Sequence, residues 1–333
     1  MKISASIYSD KKRDLKSVIE DLAAHHVDLL HVDCNDDPKV FDDIQAIRNW
    51  TKIPIDLHII TENPEKYFDL LRNTPVEYVT FQLEDATTSL KLPADIPGKK
   101  GLAMISPTAV ERFDEYAEYD FVLFMATIPG QSGGVFDPIN FQKIRHFQKK
   151  YPTKPVHVDG GVNGEVSFIL RNMGVQSSVS GSFLFNAPSI GHALMDLTKR
   201  DVVSHFALKD FMIPLNEAPK VKENASTMEV LESIEKGALG FTLVLNQENT
   251  LLGLCSNADI RKALLKFNGD LTNRSVEEMM NNSPISIDET QTVNDLMNLV
   301  KSYSFPISYL PVLNNDGKAV GIVTFVNLIK GEL

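Results

Sequence analysis

The first 200 residues alternate between short apolar runs and stretches in which apolar residues recur every three or four positions. Leu15, Val18, Ile19 and Leu22 show the second spacing, which is typical of a helix buried on one side. Further predicted helices cover residues 38–50, 64–72, 138–150, 164–173 and 189–199. The short apolar runs predict strands at residues 3–8, 27–33, 54–60, 77–83, 100–104, 120–126, 155–159 and 176–180.

Eight strands that alternate with helices within this length indicate an α/β protein built from parallel βαβ units. We expect a compact (β/α)8 barrel, a TIM barrel, in preference to an open doubly wound sheet. In such a barrel the active site lies at the carboxyl ends of the strands. The residues at or just beyond the predicted strand ends are Ser6, Asp33, His58, Met125, Asp159 and Ser182. They are therefore predicted to converge.

Three of the predicted strands end in a histidine and an aspartate on one face. The pairs are His31 with Asp33, Asp56 with His58, and His157 with Asp159. Buried ionisable groups are costly unless they are paired. Asp56 and His157 lie deeper in their strands than the other four. They are either supports for metal ligands or hydrogen-bonded interior groups.

The remaining four residues of these pairs supply two imidazoles and two carboxylates. They are His31, Asp33, His58 and Asp159, and this donor set suits Zn, Fe(II), Mn or Co. The alternative is that each is an ordinary hydrogen-bonded interior group. Because a barrel interior is normally filled by branched aliphatic residues, four polar residues at matched strand ends favour the metal.

Glycine-rich stretches follow the last three predicted strands. They are 129–134 after the sixth strand, Gly160 and Gly161 after the seventh, and Gly181 and Ser182 after the eighth. Glycine lets backbone N–H groups approach anionic oxygens closely, and barrels often bind phosphate at the loops after the last strands. Turns also use glycine routinely, but three such stretches in succession predict an anion site.

Composition narrows the class of protein without identifying its chemistry. The chain has 333 residues, 43% hydrophobic and 23% charged, as expected of two globular domains. Its net charge of −11 argues against nucleic acid or an anionic membrane surface as the main partner. Two distant cysteines, Cys34 and Cys255, indicate a reducing compartment. Because we find neither a signal peptide nor a long apolar run, we expect a cytoplasmic protein.

Residues 2–190 resemble the ribulose-phosphate 3-epimerase family. The segments that carry the resemblance are 4–7, 30–33, 55–58, Met125, 129–130, 158–162 and 180–182. The resemblance implies a divalent metal held by His31, Asp33, His58 and Asp159, with Asp33 and Asp159 as the acid/base pair. The implied substrate and phosphate contacts are Ser6, His58, Met125, Gly130, Gln131, Ser132, Gly133, Gly160, Gly161, Val162, Gly181 and Ser182.

The sequence departs from the family around the predicted pocket. Asn35 and Ile60 stand where methionines are expected, Gln82 replaces a usual histidine, and Ile128 replaces a usually polar residue. The leading hypothesis is epimerisation at C3 of a ketose phosphate, from D-ribulose 5-phosphate to D-xylulose 5-phosphate. The departures motivate an alternative ketose phosphate, such as a hexulose 6-phosphate. A catalytically silent nucleotide sensor is a third hypothesis, against which the intact metal and carboxylate residues argue.

The last 120 residues contain an internal repeat. Residues 244–253 align with 312–321, and each segment is predicted to form a strand, a turn and a strand. A predicted helix precedes each copy, at 227–235 and 292–303, and another begins after it, at Asn257 or Phe325. This pattern resembles a tandem pair of cystathionine-β-synthase-type (CBS) domains. We therefore predict a barrel over 1–200, a linker over 201–210 and a CBS pair over 211–333.

The segment 253–259 resembles the pattern of CBS domains that bind adenosine nucleotides. Ser256 would meet phosphate and Asp259 the ribose hydroxyls. In the second copy Thr324 keeps the hydroxyl but Asn327 replaces the aspartate, so the better site is predicted at Ser256. The alternative is that the hydroxyl residues only cap helices. Since paired CBS modules usually associate, we also expect a homo-oligomer.

Overall fold

The computed structural model describes residues 1–87, 90–129, 133–198, 205–272 and 274–326. These residues form two compact units, one within 1–198 and the other within 205–326. Among the described residues, no helix is long and apolar enough to cross a membrane. Residues 201–204 of the predicted linker lie outside the described residues, so the predicted domain limits stay a prediction.

The first unit is a closed barrel of eight parallel strands, which confirms the predicted TIM barrel. Each strand pairs with its neighbours in sequence, and β8 closes the barrel on β1. The strands are β1 Lys2–Ser6, β2 Leu29–Asn35, β3 Ile55–Ile60, β4 Tyr78–Gln82, β5 Lys99–Ile105, β6 Phe121–Met125, β7 Val156–Asp159 and β8 Ser177–Ser180.

Helices surround the barrel. They are α1 Leu15–Ala24, α2 Val40–Trp50, α3 Phe68–Asn73, α4 Ile139–Lys150, α5 Gly164–Asn172, α6 Ser182–Asn186 and α7 Ile190–Thr198. The first strand ends at Ser6, two residues before its predicted end, because Ile7–Ser9 turn into a 3-10 helix. The 3-10 helix Val110–Tyr116 and the short helix α6 were not predicted, since neither is long enough to show a periodic apolar stripe.

The amino-terminal end of the barrel is closed by aromatic rings around a buried histidine. His157 stacks on Phe121 with ring centroids 4.3 Å apart and lies 5.7 Å from the ring of Tyr78. Burial lowers the pKa of His157 to about 4, although the Asp56 carboxylate acts in the opposite direction. The imidazole is therefore neutral near pH 7, and the barrel interior is filled here without a charge.

The second unit contains the two predicted repeats. Its elements are α8 Leu208–Phe211, β9 Ile213–Pro214, β10 Lys220–Lys222, α9 Thr227–Gly237, β11 Phe241–Leu245, β12 Leu251–Ser256, α10 Asn257–Lys266, β13 Ile287–Asp288, α11 Val293–Lys301, β14 Tyr309–Leu313 and β15 Ala319–Thr324. The sheets have the orders β10-β11-β12 and β13-β14-β15-β9. Each hairpin has a register shift at the same place, Val244/Leu245 in the first and Val312/Leu313 in the second. The two repeats therefore share this backbone irregularity as well as their sequence pattern.

The replacement His157→Gln tests whether a neutral imidazole closes the barrel. Well above pH 6.5, His157 is neutral in both the folded and the unfolded chain and adds no pH dependence. As the pH falls from 6.5 to 4.5, the unfolded chain takes up a proton that the folded barrel resists, so the wild type loses about 2 kcal/mol of stability. Urea denaturation at both pH values should show a smaller loss in His157→Gln. His146→Gln, which changes an exposed histidine, is the control and should lose as much stability as the wild type. If His157→Gln also lost as much stability between pH 6.5 and 4.5 as the wild type, His157 would not be the neutral buried imidazole described here.

Candidate active site

The parallel register of β2 and β3 aligns two polar pairs on the inner face of the barrel. His31 lies beside Asp56, and two residues further along Asp33 lies beside His58. Because neighbouring residues in register face the same side of a sheet, all four side chains point into the barrel. The deeper pair and the outer pair therefore form two layers, one above the other.

Four ligand atoms, one from each of His31, Asp33, His58 and Asp159, lie within 4.8 Å of one another. His31 Nε2 is 3.2 Å from Asp33 Oδ1 and 3.6 Å from Asp159 Oδ2. His58 Nδ1 is 3.5 Å from the same Asp33 oxygen. Both imidazoles are completely buried, whereas each carboxylate keeps 18% of its side chain exposed. The structure thus brings residues of β2, β3 and β7 into one cluster that opens at the carboxyl end of the barrel.

The deeper layer determines which nitrogen of His31 faces this cluster. Asp56 Oδ2 accepts hydrogen bonds from His31 Nδ1 and from Ser4 Oγ, each at 3.0 Å. An ionised carboxylate can only accept, so His31 carries a proton on Nδ1. Its Nε2 is then the nitrogen that points toward Asp33 and Asp159. Asp56 is therefore a hydrogen-bonded support of His31.

The two carboxylates of the cluster have pKa values shifted in opposite directions. Burial would raise the pKa of Asp33, but the adjacent His31 outweighs it and holds that pKa well below its usual value. Burial and the nearby Asp33 charge raise the pKa of Asp159 to about 6, despite the opposing effect of His31. For His31, burial would lower the pKa, but Asp33 and Asp56 hold it well above its ordinary value. In the metal-free protein a proton on His31 therefore compensates the carboxylates.

The donor atoms fit a divalent cation. His58 Nε2 is hydrogen-bonded to Gln82 Oε1 at 3.0 Å, whereas the buried His58 Nδ1 has no hydrogen-bond partner among the described residues. A buried nitrogen without a partner is costly unless another group uses its lone pair. Two imidazole nitrogens and two carboxylate oxygens in one cluster form the ligand set that Zn, Fe(II), Mn and Co accept.

The family model described as "Ribulose-phosphate 3 epimerase family" matches residues 2–185, which is more than half of the chain. The chain belongs to this family. Its barrel is that of an isomerase, a sugar-phosphate epimerase similar to ribulose-phosphate 3-epimerases. The resemblance inferred from the sequence motifs is thereby confirmed.

The chain covers two curated ribulose-phosphate 3-epimerases almost completely. A ribulose-phosphate 3-epimerase named as the cytoplasmic isoform, from Oryza sativa subsp. japonica, is 28% identical over 215 residues, which are 60% of this chain and 93% of that protein. The ribulose-phosphate 3-epimerase of Methanocaldococcus jannaschii is also 28% identical, over 227 residues, covering 64% of this chain and 95% of that protein.

A CBS domain model matches the second unit twice, at residues 208–266 and 276–332, which confirms the tandem CBS pair. A solved CBS-pair protein, CBSX2 from Arabidopsis thaliana, is 25% identical and covers 38% of this chain and 94% of that chain, with a TM-score of 0.32. This epimerase-family barrel is therefore joined in one chain to a CBS pair.

In the epimerase-family barrel, the loops after β6 and β7 touch each other through glycines. A Cβ atom on Gly160 would lie 2.4 Å from Thr127 Oγ1, and one on Gly161 would lie 2.1 Å from Phe136 N. Gly161 also has a φ of 65°, which favours glycine. Two of the predicted phosphate loops thus pack against each other without room for side chains, and Val162 is buried beside them.

The other predicted substrate contacts in the epimerase-family barrel lie at strand ends or in the loops that follow them. Ser6 Oγ accepts a hydrogen bond from Ser9 Oγ at 3.1 Å, and Met125 pairs in register with Asp159. Gly181 precedes α6, which begins at Ser182. Gly133 is described, with a φ of 88°, whereas the predicted contacts Gly130, Gln131 and Ser132 lie outside the described residues.

The predicted nucleotide residues of the CBS pair form a helix cap. Ser256 Oγ accepts from the backbone N–H of Asp259 at 3.3 Å, and Asp259 Oδ2 accepts from Ser256 N at 3.0 Å and Oγ at 2.6 Å. This reciprocal arrangement is a capping box at the start of α10. Thr324 ends β15 in the second repeat, and Asn327 lies outside the described residues.

Three residues lie behind the two histidines, in direct contact or through one intermediate side chain, and have no role assigned from the sequence. Ser4 shares the inner face of β1 with Ser6, so the period of two was a usable signal for it. Gln82 was noted only as a departure from the family, yet it contacts His58 directly. Glu84 lies beyond the end of β4, where no periodicity applies, and it contacts Gln82.

The opposite pKa shifts of the two carboxylates predict opposite effects of their removal in chelator-treated protein. The raised pKa of Asp159 means that the folded state loses stability as the pH rises from about 4 through 6. Asp159→Asn should therefore be more stable than the wild type at pH 8, by about 3 kcal/mol, and by only about 1 kcal/mol at pH 4.5. Asp33→Asn, which removes a carboxylate with a lowered pKa, should be less stable than the wild type at pH 8.

Urea denaturation at pH 4.5 and pH 8 measures both differences. If both replacements changed stability in the same direction at pH 8, the two carboxylates would not occupy the different electrostatic environments described here.

Proposed function

We propose that the barrel catalyses inversion at C3 of a ketose phosphate, interconverting D-ribulose 5-phosphate and D-xylulose 5-phosphate. The observation that carries this proposal is the pair of carboxylates, Asp33 and Asp159, held with two imidazoles within 4.8 Å. Inversion next to a carbonyl needs one group that removes a proton and another that returns one on the opposite face. A pair of carboxyl groups with opposite pKa shifts meets this requirement.

In this proposal the two carboxyl groups exchange roles with the direction of the reaction. Asp33, ionised at rest, takes the proton from C3, and the electrons of the C–H bond move into the enediolate of the substrate. Asp159, whose raised pKa of about 6 keeps a fraction of it protonated near neutral pH, returns a proton in that form to the other face of C3. Asp33 then carries the proton and Asp159 is ionised, which is the state that starts the reverse reaction.

We propose that His31, Asp33, His58 and Asp159 hold a divalent cation, one of Zn, Fe(II), Mn or Co. The support is the donor set and the unpartnered His58 Nδ1. When bound, the cation would act as a Lewis acid toward the negative charge that develops on substrate oxygen. We propose that Ser6 and Met125 contact the sugar and that the loops at 130–133, Gly160–Val162 and Gly181–Ser182 hold the phosphate.

A second ketose phosphate is favoured by one observation. Asn35 and Ile60, two of the departures from the family, lie beside each other in the register of β2 and β3 at the open end of the barrel. An amide and a branched aliphatic side chain there change both the shape and the polarity of the pocket entrance. A longer substrate, such as a hexulose 6-phosphate, is therefore the alternative.

Solvent exchange at C3 tests the proposed reaction. Metal-reconstituted protein in D₂O is incubated with D-ribulose 5-phosphate, D-xylulose 5-phosphate and a panel of hexulose 6-phosphates, and deuterium at C3 is followed by NMR. We expect incorporation with the pentulose phosphates and an about 100- to 10,000-fold slower incorporation in Asp33→Asn and in Asp159→Asn, the usual contribution of a positioned acid or base.

Exchange with a hexulose phosphate alone would move the assignment to the alternative substrate. Absence of exchange with every sugar, in protein that contains its metal, would contradict the epimerase reaction and favour the silent sensor.

We further propose that the CBS pair binds an adenine nucleotide at Ser256 and Asp259. The support is a hydroxyl and a carboxylate together at the start of α10, with Asp259 Oδ1 contacted only weakly, by Lys262 Nζ at 3.4 Å. Thr292 and Asp295 form the same type of capping box at the start of α11, outside the predicted nucleotide motif. The chain therefore offers a matched pair of caps.

Ser256→Ala and Thr292→Ala should each lose about 1 kcal/mol of stability, because each removes an N-cap. Only Ser256→Ala should also lose affinity for AMP, ADP or ATP, by about tenfold or more, as measured by calorimetric titration of the full chain. Equal nucleotide affinity in both variants and the wild type would show that Ser256 is a helix cap only. A cytoplasmic location and a homo-oligomer stay predictions.

A further inference from the structure

His58 presents its two ring nitrogens to different neighbours. Nε2 lies 3.0 Å from Gln82 Oε1, and Nδ1 lies 3.5 Å from Asp33 Oδ1 with no hydrogen-bond partner among the described residues. A neutral imidazole carries its proton on one ring nitrogen, and the other nitrogen then has the lone pair that can bind a cation. Which nitrogen of His58 is available to a cation therefore depends on what Gln82 presents to Nε2.

The side-chain amide of Gln82 is oriented by Glu84. Gln82 Nε2 donates to Glu84 Oε2 at 2.5 Å. Because a carboxylate only accepts hydrogen bonds, the amide nitrogen must face Glu84, and the amide oxygen must then face His58. A flipped amide would place an N–H group against His58 and an oxygen against a negative charge.

Glu84 is itself held by the loop that follows β5. Its Oε1 accepts hydrogen bonds from the backbone N–H of Ile105, at 3.2 Å, and from Thr108 Oγ1. One oxygen of this carboxylate is therefore anchored to backbone, and the other is directed at Gln82. The chain of contacts from Ile105 to His58 runs through three successive hydrogen bonds, each with a defined donor.

We propose that Gln82 and Glu84 are positioning residues that fix the proton of His58 on Nε2, so that Nδ1 is free to bind the cation. This inference rests on the proposed metal site. The two histidines then bind through different nitrogens, His31 through Nε2 and His58 through Nδ1. Each is held from behind, His31 by the carboxylate of Asp56 and His58 by the amide of Gln82.

The neutral amide has an electrostatic advantage at this position. Asp33, Asp56 and Asp159 already place three carboxylates around the two imidazoles. A carboxylate in direct contact with His58 would add a fourth negative charge to a buried cluster. Gln82 accepts the hydrogen bond from His58 Nε2 without adding a charge. The negative charge of Glu84 is separated from His58 by the Gln82 side chain and is exposed to solvent.

The tautomer of His58 in chelator-treated protein tests the proposal without any metal. Ring nitrogens that carry a proton and those that carry a lone pair have well-separated ¹⁵N chemical shifts, and His58 is assigned by the loss of its signals in His58→Asn. We expect the wild type to have its proton on Nε2 alone. Gln82→Leu, which removes the acceptor, and Glu84→Gln, which removes the group that orients the amide, should both populate the second tautomer.

Calorimetric titration with Zn²⁺, Mn²⁺ and Co²⁺ gives the second readout. Gln82→Leu should weaken binding about 10- to 100-fold, the usual effect of removing a partner behind a metal-binding histidine. Gln82→His restores an acceptor for Nε2 and should recover most of the affinity. Thr80→Val is the matched control, because Thr80 is buried on the same strand and its Oγ1 has no hydrogen-bond partner in the described part of the chain.

An unchanged His58 tautomer in both Gln82→Leu and Glu84→Gln would overturn the proposal, as would an equal loss of affinity in Thr80→Val. If Gln82→Leu does not fold, Glu84→Gln and Gln82→His still decide the question. If the His58 tautomer changes as expected in the two variants but the wild-type protein binds none of the three metals, the positioning role is supported. That result would overturn the metal site of the proposed function instead, so the two failures are distinguishable.

Discussion

The chemistry of the barrel depends on the close approach of two carboxylates and two imidazoles in a site that is largely shielded from water. Such a cluster is unstable without a positive charge to compensate it. In the metal-free protein a proton on His31 supplies that charge, as the raised pKa of His31 shows. A divalent cation would supply it more completely and would use the lone pair of His58 Nδ1 that has no partner among the described residues.

The parallel register explains why these residues meet and why much of the site was predictable. A period of two marks His31, Asp33 and His58 as inward-facing, and the barrel topology brings their strand ends together with Asp159. The sequence could not show which nitrogen of each histidine faces the centre. That depends on contacts between strands, such as Gln82 with His58, and the partner Glu84 lies on a loop without any periodic pattern.

The CBS pair illustrates a different reason for incomplete prediction. The repeat was visible because both hairpins keep the same apolar pattern, and the structure extends it to a shared register shift. The hydroxyl and carboxylate of Ser256 and Asp259, however, satisfy the pattern of a nucleotide site and that of a capping box equally well. The same two residue types at the same spacing serve both purposes, so spacing alone does not separate them.

X-ray absorption spectroscopy of the protein loaded with one equivalent of Co²⁺ or Zn²⁺ tests the central claim most directly. The account predicts a first shell of nitrogen and oxygen at about 2.0–2.2 Å, with the outer-shell scattering of two imidazoles. That scattering should fall to one imidazole in His58→Asn. A shell without imidazole, or one that is unchanged in His58→Asn, would contradict the claim that the four strand-end residues form a single metal site.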